Sequence, residues 1–369
     1  MTKREEEILN LIKKNPLISQ NQLSDVLGIT RSSVAVHITN LIKKGYIKGK
    51  GYIVNDEDFV VVIGGANVDI LGIAKKNLIY RDSNIGKIKM SLGGVGRNIA
   101  ENLVRLGVNT KLITTIGDDL YGTKILNECR DLGIDLENSL MLKGYNSSVY
   151  MSILDSKNDM HVAISEMEIL DNMSIEFIKQ KRNIIESSKV AIIDTNIPKE
   201  VIEYVVNNFK DTKFFLDTVS TEKSKKVKDI IGKFHTIKPN RYEAEILSGI
   251  EIKNKEDLTK VSEFFLNKGV ERVFVSLGEE GTYYNDQEGN EKIIKPNKVE
   301  VKNANGAGDA FVSGLVYSYL RDYSVEDTIN FSMACSAMAL SHENTINPNI
   351  NAEDVNLLVE QNKKDKNYN

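Results

Sequence analysis

The chain has 369 residues and a mass of 41.3 kDa, with 41% hydrophobic and 27% charged residues, which supports one large and one small domain and excludes disorder throughout. Its two cysteines, Cys129 and Cys335, lie far apart and exclude a disulfide scaffold. There is no uninterrupted apolar run of about 18 residues and the first residues are charged, so we expect a cytoplasmic protein with no membrane partner.

Charge is unevenly distributed along the chain. Residues 1–56 contain nine Lys or Arg against five Asp or Glu, whereas the other residues contain 39 against 47. The net charge of −4 therefore divides into +4 and −8. A basic N-terminal segment is compatible with binding a polyanion, whereas the acidic remainder argues against nucleic acid covering the whole surface.

The first 44 residues have the periodicity of three short helices. The first ends at Asn15-Pro16, Ser19 is expected to cap the second, and Thr30 is expected to cap a third over 31–44. Gly28 lies where a tight turn between the second and third helices is needed. The residues expected on the inner faces are Leu23, Val26 and Leu27 in the second helix and Val34, Ile38, Leu41 and Ile42 in the third.

A short basic hairpin is predicted next, with strands at 45–48 and 51–54. Three helices and a hairpin in this order resemble the winged helix-turn-helix domains of bacterial transcription regulators. The resemblance implies that DNA bases are contacted by Arg31, Ser32 and Ser33, and DNA phosphates by Lys48 and Lys50. The alternative is that residues 1–56 form an appendage for docking or dimerisation.

From residue 59 onward, short β-branched runs alternate with helical patterns. Strands are predicted at 60–63, 111–116, 190–193, 213–216 and 272–276, and helices at 98–106, 121–132, 199–208 and 258–268. Continuous apolar runs are typical of strands that are buried on both faces. The alternation predicts an α/β fold with a mainly parallel sheet.

Two segments interrupt this alternation. Residues 147–165 are typical of an exposed hairpin, and residues 71–90 contain further short β-like pieces. Together they predict a small separate sheet that acts as a lid.

A glycine-rich loop carries the clearest chemical signal. Gly306, Ala307 and Gly308 precede a helical pattern, so their backbone N–H groups can converge on an anion with help from the helix dipole. Asp309 would be unfavourable in a simple anion site, but it fits a base that takes a proton from a hydroxyl group attacking that anion. The alternative is an Asp-capped helix after a glycine loop.

A second glycine cluster, Gly93-Gly94-Val95-Gly96, opens the helix at 98–106. It lacks the third small residue of a dinucleotide fingerprint, because Ile99 occupies that position. The sequence also has no Gly-x-x-x-x-Gly-Lys-Ser/Thr segment, which excludes a P-loop.

Five motifs in order along residues 58–355 resemble the ribokinase-like, or PfkB, family of carbohydrate and nucleoside kinases. They are Gly64-Gly65-Ala66-Asn67-Val68-Asp69, Gly93-Gly94-x-Gly96-x-Asn98, Asn240-x-x-Glu243, Ser276-x-Gly278-x-x-Gly281 and Gly306-Ala307-Gly308-Asp309. The resemblance implies a three-layer α/β/α sandwich over 57–369 with a β-sheet lid at about 71–90 and 147–165. It also implies phosphoryl transfer from ATP to a hydroxyl group.

The resemblance assigns roles residue by residue. Asp309 is the expected base, and Gly306, Ala307 and Gly308 are the expected anion hole. Sugar hydroxyls are expected at Asn67, Asp69, Gly93, Gly94 and Asn98. ATP is expected at Asn240, Ser276, Gly278 and Gly281, and Mg²⁺ at Glu243, through water.

Two further properties follow from the resemblance. Many relatives have an aspartate six positions before the catalytic aspartate, where it helps to bind an activating monovalent cation, and this chain has Asn303 there. Potassium dependence is therefore uncertain. Some relatives dimerise through the lid, so we expect a homodimer, which would also present two DNA-binding modules to paired half-sites.

Segments at 194–198, 215–223, 235–245 and 344–348 resemble bacterial pseudouridine kinases. The resemblance implies a pseudouridine acceptor, and the Asn196 amide, which has a donor and an acceptor, could pair with the imide edge of its base. Other acceptors remain open: ribose, a hexose, inosine or cytidine. A different alternative is a transcription regulator whose kinase-like domain only senses a ligand.

Overall fold

A computed structural model describes residues 1–48, 58–157, 159–296 and 299–367. The N-terminal part consists of three helices, α1 (Lys3–Lys14), α2 (Gln20–Leu27) and α3 (Arg31–Lys43). The predicted caps are confirmed: the side chains of Ser19 and Thr30 accept hydrogen bonds from the first turns of α2 and α3. Gly28 ends α2 with a φ of 63°, the left-handed conformation that the predicted turn requires.

The inner faces of these helices are narrower than predicted. Leu23, Val34, Ile38 and Leu41 are buried as expected, but Val26 and Ile42 are 63% and 45% exposed, so their predicted burial is wrong. The helices α1 and α2 cover only the side of α3 that carries the three buried residues, because an i, i+4, i+7 stripe spans less than half of the helix surface. The predicted strand 51–54 and the turn Gly49-Lys50-Gly51 lie outside the described residues.

The described residues form a main sheet of eight strands. In spatial order the strands are β14 (Glu291–Ile294), β13 (Thr282–Asp286), β12 (Arg272–Ser276), β11 (Thr236–Ile237), β10 (Phe214–Asp217), β9 (Ala191–Asp194), β1 (Val60–Ile63) and β4 (Thr110–Ile113). The last six of these run parallel, and β13 and β14 continue the sheet antiparallel at one edge.

Helices cover both faces of this sheet. Because side chains alternate along a strand, Val60 and Val62 enter one core while Val61 and Ile63 enter the other. The first core is covered by α4 (Val95–Arg105), α5 (Leu120–Leu132), α12 (Ala307–Tyr319), α13 (Val325–Leu340) and α14 (Ala352–Asn367). The second lies under α6 (Ile175–Gln180), α7 (Arg182–Glu186), α8 (Lys199–Asn208), α10 (Arg241–Ser248) and α11 (Lys255–Lys268). The short helix α9 (Thr221–Ser224) precedes α10 and packs against it. The predicted three-layer sandwich is confirmed.

The predicted lid is a separate four-stranded sheet. Its order is β3 (Gly86–Gly93), β2 (Asn67–Ala74), β7 (Val149–Leu154) and β8 (Met160–Glu166). Strands β2 and β3 extend beyond the predicted pieces: β2 begins with the last three residues of the first glycine-containing motif, and β3 ends at Gly93, the first residue of the second. The lid therefore begins at residues assigned to the acceptor. A small parallel pair, β5 (Thr115–Gly117) and β6 (Leu140–Leu142), divides the strand predicted at 111–116.

Among the described residues, no helix combines the length and the apolar character that crossing a bilayer requires.

Candidate active site

The carboxyl ends of four neighbouring parallel strands meet at one edge of the main sheet. Gly64 and Gly65 follow β1, Asp194 ends β9, Asp217 ends β10 and Lys238 follows β11. Because neighbouring parallel strands end on the same side, segments that are distant in the sequence become adjacent there. Helix α12 begins opposite this edge, and it brings Asp309 to the same place.

Asp309 lies in the first turn of α12 and is 8% exposed. Gly306 caps the helix at a φ of 81°, and a Cβ there would lie 2.1 Å from the carbonyl oxygen of Thr345. A side chain at this position would therefore be both strained and in contact with backbone. The glycine therefore permits the sharp turn that leads into α12.

The surroundings of Asp309 bring its pKa close to neutrality. Burial raises the pKa, and the Asp217 and Asp194 carboxylates raise it further, whereas a hydrogen bond from Asn98 and the charge of Lys238 lower it; the result is about 7. A carboxylate in this range can accept a proton from a hydroxyl group near neutral pH. This property fits the predicted base.

The residues assigned to the acceptor lie together at the start of the lid, and one of them, Asn98, contacts Asp309. The Nδ2 group of Asn98 donates to Oδ2 of Asp309 over 2.8 Å, and Nδ2 of Asn67 donates to Oδ1 of Asp69 over 2.6 Å. A Cβ on Gly93 would lie 2.3 Å from the Asp69 carboxylate, so any larger residue there would displace that carboxylate. Burial raises the pKa of Asp69, whereas the hydrogen bond from Asn67 and the charge of Arg97 lower it in part. The structure thus brings together Asn67, Asp69, Gly93, Gly94 and Asn98.

Asn196 is less free than the sequence interpretation assumed. Its Oδ1 accepts a hydrogen bond from Lys223 Nζ over 2.6 Å, and its backbone N–H donates to Asp194 over 2.8 Å. Lys226 Nζ donates to the carbonyl groups of Thr195 and Ile197, each over 3.0 Å. Because Lys223 occupies the amide oxygen, the amide presents mainly its donor, and the expectation that it offers both a donor and an acceptor is revised.

A cavity of about 840 Å³ borders the Asp309 loop, and Ala307 and Gly308 line it. The residues assigned to ATP, which are Asn240, Ser276, Gly278 and Gly281, also line the cavity. Apolar side chains complete the lining, among them Val299, Val301, Met333 and Leu340. Polar groups beside an anion hole, together with apolar side chains, suit the phosphates and the base of a nucleotide.

Lys238 is a site residue to which the sequence reasoning gave no role. It is 8% exposed, lines the cavity, and its Nζ lies 3.5 Å from Asp217 and 3.0 Å from the position of a Cβ on Gly308. Burial lowers its pKa, but the carboxylates of Asp217, Glu243 and Asp309 outweigh burial and raise it. The ammonium group therefore stays charged beside the anion hole. Its location directly after β11, two residues before Asn240, was the signal in the sequence.

Glu243 fits a role with hydrated Mg²⁺. Its Oε2 accepts hydrogen bonds from Thr218 Oγ1 over 2.6 Å and from the Asn240 backbone over 2.8 Å. Both of these bonds use the same oxygen, which leaves Oε1 to accept a hydrogen bond from a metal-bound water. Within the described ranges, no group of three or more His, Cys, Asp or Glu side chains is arranged to hold a metal ion.

Asn303 does not fit a monovalent cation site. Its Oδ1 accepts from the backbone of Asn305 over 3.0 Å, and its Nδ2 donates to the carbonyl oxygen of Glu343 over 3.1 Å. The amide thus joins its own loop to the segment after α13, and its oxygen is already used. The NH₂ group of Asn303 therefore binds the Glu343 carbonyl oxygen in the place of a cation.

Replacing K⁺ by tetramethylammonium is therefore expected to change kcat by less than about twofold, since Asn303 already joins the two segments. The Asn303→Asp variant restores a carboxylate and is expected to gain activation by K⁺. Steady-state kinetics of the unaltered protein and of Asn303→Asp in the two salts checks both expectations. Strong K⁺ activation of the unaltered protein would contradict this interpretation of Asn303.

The residues assigned to DNA lie at the start of α3. Arg31, Ser32 and Ser33 are exposed, and the hydroxyl groups of both serines lie 2.9 Å from Oγ1 of Thr30. Lys48 is exposed as well, whereas Lys50 lies outside the described residues. Arg31 therefore has no cover from α1 or α2, as a base-contacting side chain requires.

Comparison with known proteins adds two family matches and several relatives. The sequence model of the pfkB carbohydrate kinase family matches residues 57–352, and a winged helix-turn-helix DNA-binding model matches residues 1–48. The chain is 36% identical over 359 residues to the uncharacterised sugar kinase YeiI of Escherichia coli, covering 97% of this chain and 99% of that protein. It is 40% identical over 305 residues to the pseudouridine kinase of Escherichia coli, covering 83% and 97%.

Solved structures resemble the fold as well. The ribokinase of Arabidopsis thaliana, solved with ribose and ATP, superposes with a TM-score of 0.72 over 82% of this chain and 99% of that one, at 19% identity. This similarity supports the ribokinase-like fold. The boundary predicted at residue 56 stays a prediction, because it falls between the two matched segments and outside the described residues.

Proposed function

Since the chain belongs to the PfkB family of carbohydrate kinases, we propose that it transfers the γ-phosphoryl group of ATP to the 5′-hydroxyl of pseudouridine, giving pseudouridine 5′-phosphate and ADP. The location of Asp309 supports phosphoryl transfer most directly. Its carboxylate contacts Asn98 on the acceptor side, and the adjacent Ala307 and Gly308 line the nucleotide cavity. One side chain therefore borders both substrates.

The geometry supports a sequence of roles for these residues. Asn67 and Asp69 hold hydroxyl groups of the sugar, since a carboxylate and an amide can bind adjacent hydroxyls. The 5′-hydroxyl oxygen attacks the γ-phosphorus of ATP while Asp309 accepts the hydroxyl proton. The bond between the γ-phosphorus and the oxygen that bridges it to the β-phosphorus breaks, and ADP leaves with that oxygen. The amides of 306–308 and the Lys238 ammonium group stabilise the negative charge on the phosphoryl oxygens. Mg²⁺, when bound, neutralises charge on the ATP phosphates.

Support for pseudouridine as the acceptor comes from the relative that bears this activity, at 40% identity over nearly its whole length. The similarity to the sugar kinase YeiI keeps a sugar acceptor as the alternative, because that protein matches this chain at 36% identity over a longer region. The NH₂ group of Asn196, whose amide oxygen is bound by Lys223, is a donor that suits a carbonyl oxygen of a base, which supports the nucleoside. Release of ADP, measured with pseudouridine, uridine, inosine, cytidine, ribose and a hexose, tests the assignment. Turnover of a sugar alone would reject it.

We also propose that residues 1–56 bind DNA, since a winged helix-turn-helix model matches 1–48 and the start of α3 is exposed. The Arg31→Glu variant is expected to weaken binding to DNA from upstream of its own coding sequence by about tenfold or more, because it replaces an attraction with a repulsion. Fluorescence anisotropy at several salt concentrations measures this.

Lys14→Glu is the matched control, with the same change of charge on α1, and is expected to weaken binding far less. Equal effects of the two variants would contradict specific contact by α3. Loss of DNA binding upon addition of a nucleoside, without any turnover, would favour the ligand-sensing regulator.

A homodimer through the lid is a further proposal. The face of the lid opposite to Asp69 carries apolar side chains that are 40% to 79% exposed: Ile88, Met90, Met151, Val162 and Ile164. They form one patch because residues in register on neighbouring strands share a face. An apolar patch of this kind is typical of an interface. A second copy of the chain is the proposed occupant.

The double variant Ile88→Lys, Ile164→Lys is therefore expected to be a monomer where the unaltered protein is a dimer, as measured by light scattering. Burial of these lysine side chains at a dimer interface would be unfavourable, because no opposite charge in the patch would pair with them. Lys87→Glu, on the opposite face of β3, is the control and should remain dimeric. An unaltered protein that is monomeric at micromolar concentrations would contradict the proposal.

A further inference from the structure

We propose that Arg97 is a positioning residue of the active site, which holds the Asn98 amide in the orientation that directs its NH₂ group to Asp309. The guanidinium Nη1 donates to Oδ1 of Asn98 over 3.2 Å, and Nδ2 of the same amide donates to Asp309 Oδ2 over 2.8 Å. The inference rests on the proposed role of Asp309 as the base, but not on which acceptor is used.

The chemistry of the three groups allows only one orientation. A guanidinium group has only donors and an ionised carboxylate has only acceptors, whereas an amide has a donor NH₂ at one end and an acceptor oxygen at the other. If the Asn98 amide were reversed, its NH₂ would face the donors of Arg97 and its oxygen would face Asp309. Arg97 therefore excludes the reversed amide, and the base receives a donor rather than a second oxygen.

Arg97 is itself rigidly held. It is 5% exposed on α4 and forms an ion pair with Glu101 one turn later. Arg105 also pairs with Glu101, with Nε and Nη2 lying 2.7 and 2.6 Å from Oε1. Glu101 thus keeps a partner if Arg97 is replaced, which makes a variant at Arg97 feasible.

The location of Arg97 also relates the acceptor to the base. Burial raises the pKa of Asp69 and the positive charge of Arg97 lowers it, so the guanidinium lies within electrostatic reach of the acceptor-binding carboxylate. The charged groups that face Asp309 from the strand ends are Asp194, Asp217 and Lys238. Helix α4 contributes the hydrogen bond that Asn98 donates to the Asp309 carboxylate. Loss of that bond, with the other three groups unchanged, makes the ionised form of Asp309 less stable.

The test measures kcat and KM of the full chain between pH 5 and 9 for the unaltered protein and for Arg97→Met, Arg97→Lys and Arg105→Met. For Arg97→Met we expect kcat at pH 7 to fall about tenfold, the acidic limb of the kcat profile to move up by about one pH unit, and the KM for ATP to change less than about twofold. Arg97→Lys retains a donor and should restore the limb. Arg105→Met loses an ion pair to the same Glu101 but no contact with Asn98, and should leave the limb unchanged.

Asn98→Ala and the double variant with Arg97→Met complete a cycle. If Arg97 acts through Asn98, the double variant loses no more activity than Asn98→Ala alone. Equal losses in Arg97→Met and Arg105→Met with no movement of the limb, or additive losses in the cycle, would overturn the proposal. If Arg97→Met does not fold, the limb of Arg97→Lys and the activity of Asn98→Ala decide. Full activity of Asp309→Asn would instead reject the base itself, which distinguishes the two failures.

Discussion

The Asp309→Asn variant is expected to lose turnover by about 10³- to 10⁴-fold in kcat while it binds ATP at least as tightly as the unaltered protein. An amide cannot accept the proton of the attacking hydroxyl group, and general base catalysis contributes about 10²- to 10⁴-fold. ATP binding is retained because the substitution removes a negative charge next to the phosphates. Single-turnover kinetics and calorimetric titration with ATP measure the two quantities.

Asp217→Asn is the matched control for the loss of a carboxylate at the same edge of the sheet. Asp217 accepts a hydrogen bond from Val219 over 2.7 Å, and an asparagine oxygen can accept it as well. Because Asp217 raises the pKa of Asp309 and does not contact the hydroxyl group in the proposed mechanism, this variant should retain measurable turnover. More than about one hundredth of the original kcat in Asp309→Asn would contradict the role of the base.

The Lys238→Met variant is expected to lower kcat/KM for ATP by about 10²- to 10³-fold, the effect of losing one preorganised donor of an anion site. The ammonium group is nearly buried beside Gly308, where it acts in a poorly screened environment. Its loss also leaves Asp217 and Asp309 without their cation, so the acidic limb of the kcat profile should move to higher pH. Steady-state kinetics across pH measures both effects.

Lys238→Arg keeps the charge and is the control, and it is expected to retain more activity than Lys238→Met at every pH. Thermal unfolding shows whether either variant loses its fold. A Lys238→Met variant that folds and has an unchanged kcat/KM for ATP would contradict the contact between Lys238 and the phosphates.

The layers of the fold were accessible from the sequence because they depend on local patterns. The β-branched runs at 60–63 and 272–276 and the amphipathic pattern of α8 each specify an element by themselves. The antiparallel strands β13 and β14 and the pairing of β5 with β6 were missed. The order of the strands depends on tertiary pairing, which no local pattern encodes. The same holds for β5, which follows β4 directly but pairs with β6 in a separate sheet.

The active site divides in the same way. Asp309 and its glycine loop were found because small residues before a helix have a local chemical meaning. The hydrogen bond between Asn98 and Asp309 joins residues 211 positions apart, and the contacts of Lys238 and Lys223 cross between strand ends. These contacts arise only when the carboxyl ends of parallel strands meet, so residue types alone could not reveal which groups touch.

The proposed reaction is tested most directly by the structure of its product. The purified protein is incubated with ATP, Mg²⁺ and pseudouridine, and the product is examined by phosphorus NMR with proton coupling. Transfer to the 5′-hydroxyl predicts a monoester whose phosphorus couples to the two protons of the 5′ carbon, together with one ADP for each ester formed. A phosphorus coupled to a ring proton of the ribose, or ADP released without any new ester, would contradict it.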